Sequence, residues 1–178
     1  IASEKNKILM VGHLLNYHPC IIKIKEIIKS GELGKIKNII SNRLNLGKFR
    51  TTENVLWSFA PHDISVVLAL CNNQLPDSIQ CNGKANLTKN IHDITNTIMH
   101  FNNIDVYVNI NVNWLNPFKE QKLVIICEKG MMLFDDTLKE NKLTLFRDYI
   151  NWSDTIPTYP EPIKTDPEII ECDFSESP

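Results

Sequence analysis

Ten residues, Asp105 to Trp114, constrain the fold of this chain more than any other stretch. Val106, Val108, Ile110, Val112 and Trp114 alternate with Tyr107, Asn109, Asn111 and Asn113. A period of two puts the apolar set on one face of a pleated strand and the polar set on the other. No helix can use that pattern. The chain must therefore contain a sheet with one dry face and one face turned to water or to a partner.

Further strand candidates are Lys35 to Leu46, Pro76 to Leu87, Ile91 to Phe101, Gln121 to Glu128, Met131 to Phe134 and Lys142 to Phe146. Polar connections between them are short, and Asn102-Asn103 and Lys129-Gly130 read as hairpin turns. Gln121 to Cys127 is apolar on both faces, which suits the middle of the sheet. Ile8 to Leu15 reads as a short buried strand. Pro19 then opens a helix with Cys20, Ile21, Ile24, Ile27 and Ile28 on one stripe. Lys23, Lys25, Glu26 and Lys29 form its solvated face, and Gly31 sits where a left-handed cap is wanted. A second helix, apolar from Ile64 to Leu70, is expected to begin at Pro61, whose fixed φ and missing N–H suit a first turn. Asn151 to Pro167, with four prolines, reads as a meandering surface segment.

This order predicts an α+β domain: one large, mixed, mainly antiparallel open sheet with helices on one face. About six strands are expected between Ile36 and Phe146. The chain begins at Ile1 without a methionine, and it stops soon after the apolar pair Ile169-Ile170, which looks like the start of another element. Both ends are expected to be cuts through a larger protein.

Composition narrows the function. A net charge of −2 offers no field for nucleic acid or an anionic membrane surface. No run approaches the ~18 apolar residues of a membrane span. The five cysteines form no CxxC pair, so a reducing, cytoplasmic setting is expected. His13 and His18 straddle a bend, and His92 and His100 stand roughly 26 Å apart at ~3.3 Å per residue. Neither spacing suits a metal, and none is expected. Glycines are scattered, with no GxGxxG after a strand. His62, next to Pro61 and near Trp57, reads either as a structural histidine or as an acid–base group at a cleft mouth.

Five blocks occur in one order: Val11 to Pro19, Ser30 to Ile36, Trp57 to Ile64, Asn113 to Lys122, and Glu128 to Asp136. Together they resemble the Gfo/Idh/MocA oxidoreductases. The last two look like the nucleotide-sugar branch, which includes UDP-N-acetylglucosamine and UDP-glucuronate-type 3-dehydrogenases. In that family an N-terminal Rossmann domain binds NAD(P), and a C-terminal α+β domain supplies the substrate side and the dimer contact. The resemblance implies that residues 1–15 are a remnant of the dinucleotide-binding domain, its last strand. Residues 16–178 would be the substrate and dimerisation domain, cut short at its C-terminus.

The Rossmann half would be absent, with its glycine-rich loop and the Glu-Lys-Pro segment that carries the family's usual catalytic lysine. The complete protein would use NAD(P); this stretch by itself is expected to bind none and to be inactive. The family's motif here is Asp-x-x-x-His. His62 matches the histidine, the implied catalytic base, and Ser58 stands where the aspartate is usual. Asn16, Tyr17, Arg43, Asn45 and Ser58 are implied substrate contacts. Trp57 is an implied cofactor contact, with simple packing as its bland alternative. The partners implied are a nucleotide sugar and a second copy, as a homodimer or homotetramer through the open sheet face. Two rival functions stand beside this one: a non-catalytic sugar-binding or assembly protein, and an inositol or free-hexose dehydrogenase.

Overall fold

The alternation from Asp105 to Trp114 becomes strand β4 (Val106–Asn113), with Val108, Ile110 and Val112 fully buried on one face. The computed structural model describes residues 1–150 and 162–174. A 3-10 turn (Leu14–Tyr17) leads into α1 (Pro19–Ser30), β1 (Ile36–Leu44) and α2 (Val55–Leu70). Then come β2 (Ser78–Lys84), β3 (Ile94–Phe101), β5 (Glu120–Cys127), β6 (Gly130–Asp135), β7 (Leu143–Phe146) and β8 (Glu168–Ile170), with β4 between β3 and β5. They form one sheet in the order β2-β3-β4-β1-β5-β6-β7-β8.

Among the described strands β1 and β4 pair in parallel, and every other neighbouring pair is antiparallel. This is the mixed, mainly antiparallel α+β sheet that the sequence predicts. Its centre is β1 against β5, as the two-sided apolar character of Gln121 to Cys127 requires. Seven strands rather than about six lie between Ile36 and Phe146, and Ile169-Ile170 belongs to an eighth. Most of the proline-rich tail, residues 151–161, lies outside the described residues.

Both helices pack on the apolar face of the sheet. From α1, Cys20, Ile21, Ile24 and Ile27 are buried; from α2, Val55, Ala60, Val66, Val67 and Leu70. Each fully buried aliphatic side chain of this kind stabilises by about 1.5–3 kcal/mol. His18 caps α1, its ring Nδ1 accepting from the Cys20 N–H at 3.2 Å, and Gly31 ends it at φ 75°. The β5–β6 turn falls on Glu128-Lys129, one residue before the expected Lys129-Gly130. Gly130 is needed there because a Cβ would lie 2.8 Å from the Phe146 carbonyl oxygen and 2.9 Å from Leu33.

Three expectations are corrected. Ile8 to Leu15 is not a buried strand: Ile8, Leu9, Met10 and Val11 are exposed and join no ladder, and Leu14 begins the 3-10 turn. A strand exists only against a neighbour, and no edge of this sheet is offered to that run. Pro61 does not start its helix. Asn54 does, its Oδ1 accepting from the Trp57 N–H at 3.1 Å, so Pro61 lies inside α2. An Asx side chain three residues before a free N–H is the stronger start signal, and it outranks a proline that can be tolerated further in. Finally, Lys25 is not on a solvated face, as described next.

Candidate functional site

Helix α2 carries two apolar stripes. One faces the sheet. The other, through Leu56, Trp57, Pro61, Ile64 and Leu68, forms a wall of a cleft of about 650 Å³. The opposite wall comes from Val11, Gly12, His13, Asn16 and Tyr17, with Lys25 of α1 on the floor side. Trp57 is 73% exposed and lines this cleft. Tyr17 is half exposed in the same cleft.

A polar chain ties the cleft walls together. Lys25 Nζ donates to the Asn16 carbonyl at 3.2 Å and to Asn16 Oδ1 at 2.9 Å. Asn16 Nδ2 donates to Ser65 Oγ at 3.0 Å, and Ser65 Oγ donates to the His62 carbonyl at 2.7 Å. Burial lowers the Lys25 pKa from its ordinary 10.5. Asn16 is thus spent on both ends of its amide, holding the 3-10 turn against both helices. That is a structural use for a residue expected to bind substrate directly.

His62 and Ser58 lie on the flank of α2 between the cleft stripe and the core stripe, since 100° per residue separates them from both. His62 is exposed. Its pKa is lowered from 6.5, first by burial of the ring's inner side, then by the Arg43 charge, with Asp63 pulling it up and His13 pushing it down. Ser58 makes no side-chain hydrogen bond among the described residues.

Arg43 is largely buried and paired. Its Nε and Nη2 grip Asp63 at 2.6 and 3.2 Å, and Ser41 Oγ donates to the same carboxylate at 2.9 Å. Asp63 is 5% exposed. Asn45 follows β1, its N–H bonded to the Asn113 carbonyl at 3.0 Å, and its side-chain amide makes no hydrogen bond among the described residues. Trp114, buried at the same end of the sheet, packs edge-on against Phe49 and Phe59, which steadies the loop after β1 and the start of α2. Asp93 is held ionised below: burial pushes its pKa up, but the N–H groups of Leu87 and Asn86 bring it down overall.

Sequence reasoning missed Asp63, Ser41 and Lys25. Asp63 had a signal: it falls on the buried stripe with Phe59, Val66, Val67 and Leu70, where a carboxylate demands a partner. Lys25 had none. Among the described residues no three His, Cys, Asp or Glu side chains gather as metal ligands.

The family model of the GFO/IDH/MocA C-terminal domain matches residues 21–133. The chain belongs to that family. No curated protein matches it. Solved structures with the same fold include a UDP-N-acetylglucosamine 3-dehydrogenase (GnnA) from Acidithiobacillus ferrooxidans. It is 20% identical with a TM-score of 0.68, covering 96% of this chain and 51% of that one. An inositol dehydrogenase homologue from Azotobacter vinelandii, complexed with NADH and myo-inositol, is 15% identical with a TM-score of 0.71, covering 92% and 44%.

The WlbA dehydrogenase of Bordetella pertussis, in complex with NADH and UDP-GlcNAcA, is 15% identical with a TM-score of 0.67, covering 80% and 46%. The chain therefore spans about half the length of these relatives. At such identities they share the fold with this Gfo/Idh/MocA domain. No helix among its described residues is long and apolar enough to cross a membrane.

Proposed function

We propose that this chain is the substrate side of an NAD(P)-dependent oxidoreductase that oxidises a sugar hydroxyl, of a nucleotide sugar in polysaccharide synthesis. The observation that carries the reading is His62: an exposed imidazole, biased toward its neutral form, on a helix of a Gfo/Idh/MocA C-terminal domain. In this reading residues 1–15 belong to the dinucleotide-binding domain and residues 16–178 form the substrate and dimerisation domain. The exposed apolar run Ile8 to Val11 supports that division, because it needs a sheet of its own to pair with.

The described residues fit only one side of a dinucleotide. Trp57 and the apolar stripe of α2 suit its nicotinamide end. They supply no pyrophosphate cradle: Gly31 and Gly34, the two glycines with positive φ, precede a strand and not a helix. Bound NAD(P) would accept the hydride. What this chain contributes is the other half of the oxidation. An imidazole nitrogen of His62 takes the hydroxyl proton while the carbinol carbon gives up its hydrogen and two electrons. Arg43, through the unused Nη1, together with Tyr17, Asn45 and Ser58 would hold sugar or diphosphate oxygens; Asn16 acts through the cleft wall. A second copy covers the open sheet face, giving a cytoplasmic homodimer or homotetramer.

Ser58, with no bond to His62, favours the rival reading of a sugar-binding protein without catalysis. The test is a panel of UDP-sugars, inositol and free hexoses with the full-length protein and NAD or NADP, followed by cofactor reduction. His62→Asn keeps a hydrogen-bonding group and removes the base. Turnover is expected to fall ~10²–10⁴-fold. Wild-type turnover in His62→Asn would end the catalytic assignment, and reduction with inositol alone would redirect the substrate.

A further inference from the structure

The proposed reaction leaves one charged group unused. Asp63 follows His62 directly on α2, is 5% exposed and shares the core stripe with Val66, Val67 and Leu70. A carboxylate in such a place is tolerated only when its oxygens are paired. Both are. Oδ1 accepts from Ser41 Oγ at 2.9 Å and from Arg43 Nη2 at 3.2 Å, and Oδ2 accepts from Arg43 Nε at 2.6 Å. A two-pronged grip of this kind fixes the plane of the guanidinium as well as its distance. Arg43 would otherwise be a long, freely rotating side chain at the C-terminal end of β1.

We infer that Asp63 is a positioning residue: its buried carboxylate anchors the Arg43 guanidinium, so that the positive charge within electrostatic reach of His62 is held in one place. The inference rests on the reading of His62 as a base and goes one step behind it. The charged and titratable groups that bear on His62 are Arg43 from β1, Asp63 on its own helix, and His13 from the segment ahead of the 3-10 turn. Asp63 acts on the ring in two opposite ways. Its own charge favours imidazolium, whereas the cation it anchors disfavours it, and the cation weighs more. A sugar bound near Arg43 would also meet a donor already held in place, since Nη1 makes no hydrogen bond among the described residues.

Diethyl pyrocarbonate acylates only neutral imidazole. The pH dependence of its reaction at His62, read by peptide mass spectrometry on the full-length protein, gives the titration midpoint of that ring. In the wild type the midpoint is expected below 6.5. Asp63→Leu releases Arg43. Loss of the anchor raises the midpoint, whereas loss of the Asp63 charge by itself would lower it. A rise is expected, and a fall or no change overturns the inference.

Arg43→Gln keeps a donor for Asp63 and removes the cation, so it decides the matter even if Asp63→Leu does not fold. Its midpoint should rise, and an unmoved midpoint is again a refutation. His100, on β3 and away from the pair, serves as the internal reference. The two levels separate cleanly. Wild-type turnover in His62→Asn removes the base but leaves a midpoint shift standing, while an unmoved midpoint with an inactive His62→Asn removes the anchor and leaves the base.

Discussion

The two helices lie on the same face of the same sheet, yet only one of them holds a candidate site. On α1 the apolar residues other than the exposed Ile22 keep to one stripe, which the sheet buries, and the rest of the surface is largely lysine and glutamate. Its hydrophobic demand is met inside the domain. Helix α2 is apolar nearly all round. The sheet takes one stripe, and Trp57, Pro61, Ile64 and Leu68 are left lining an open cleft. A helix with a second apolar stripe is either buried on all sides or waiting for cover. The lesson is that surplus hydrophobicity on α2, not any single reactive residue, marks where this domain meets something else.

The contrast can be broken or sharpened by substitution. Ile24 of α1 is fully buried, and Ile24→Ala should cost about 2–5 kcal/mol of stability in a denaturant titration. A cost below that range would mean that α1 is not the satisfied helix described here.

Next in size is Pro61→Ala. It restores an N–H for the Trp57 carbonyl and removes a ring from the helix interior, so stability should rise by ~1–3 kcal/mol. A destabilised variant would show that α2 needs the proline bend.

The third test uses pH. His18 caps α1 with a ring nitrogen, and its pKa is lowered from 6.5, mainly by burial, with Asp136 opposing and Lys142 assisting. The unfolded chain therefore binds more protons at this site than the folded one. Stability is fully present above 6.5 and is lost as pH falls through the folded value; His62, lowered as well, acts in the same sense. His18→Asn retains a capping acceptor without the titration. Its stability should decline less steeply on acidification, and a slope equal to wild type would remove His18 from the account.

The smallest effect is expected at Trp57. Its exposure predicts that Trp57→Ala changes stability by no more than ~0.5 kcal/mol, while under the proposed function the full-length protein's affinity for NAD(P) falls. A large stability loss would mean that Trp57 packs rather than waits.

The sequence by itself determined the sheet, the placing of β5 at its centre, and helix α1 with its Pro19 start and Gly31 cap. Those properties are written in periods of two and 3.6 and in capping chemistry, which act between residues a few positions apart. Tertiary structure alone decided that Asp63 pairs with Arg43, that Lys25 turns inward to Asn16, and that Asn16 reaches Ser65. It also decided that Ile8 to Val11 stays unpaired, because a strand is stable only where another edge is present to receive its hydrogen bonds. Charge pairing depends on which strands become neighbours. Arg43 and Asp63 lie on different elements, and only the packing of α2 across β1 brings them to 2.6 Å.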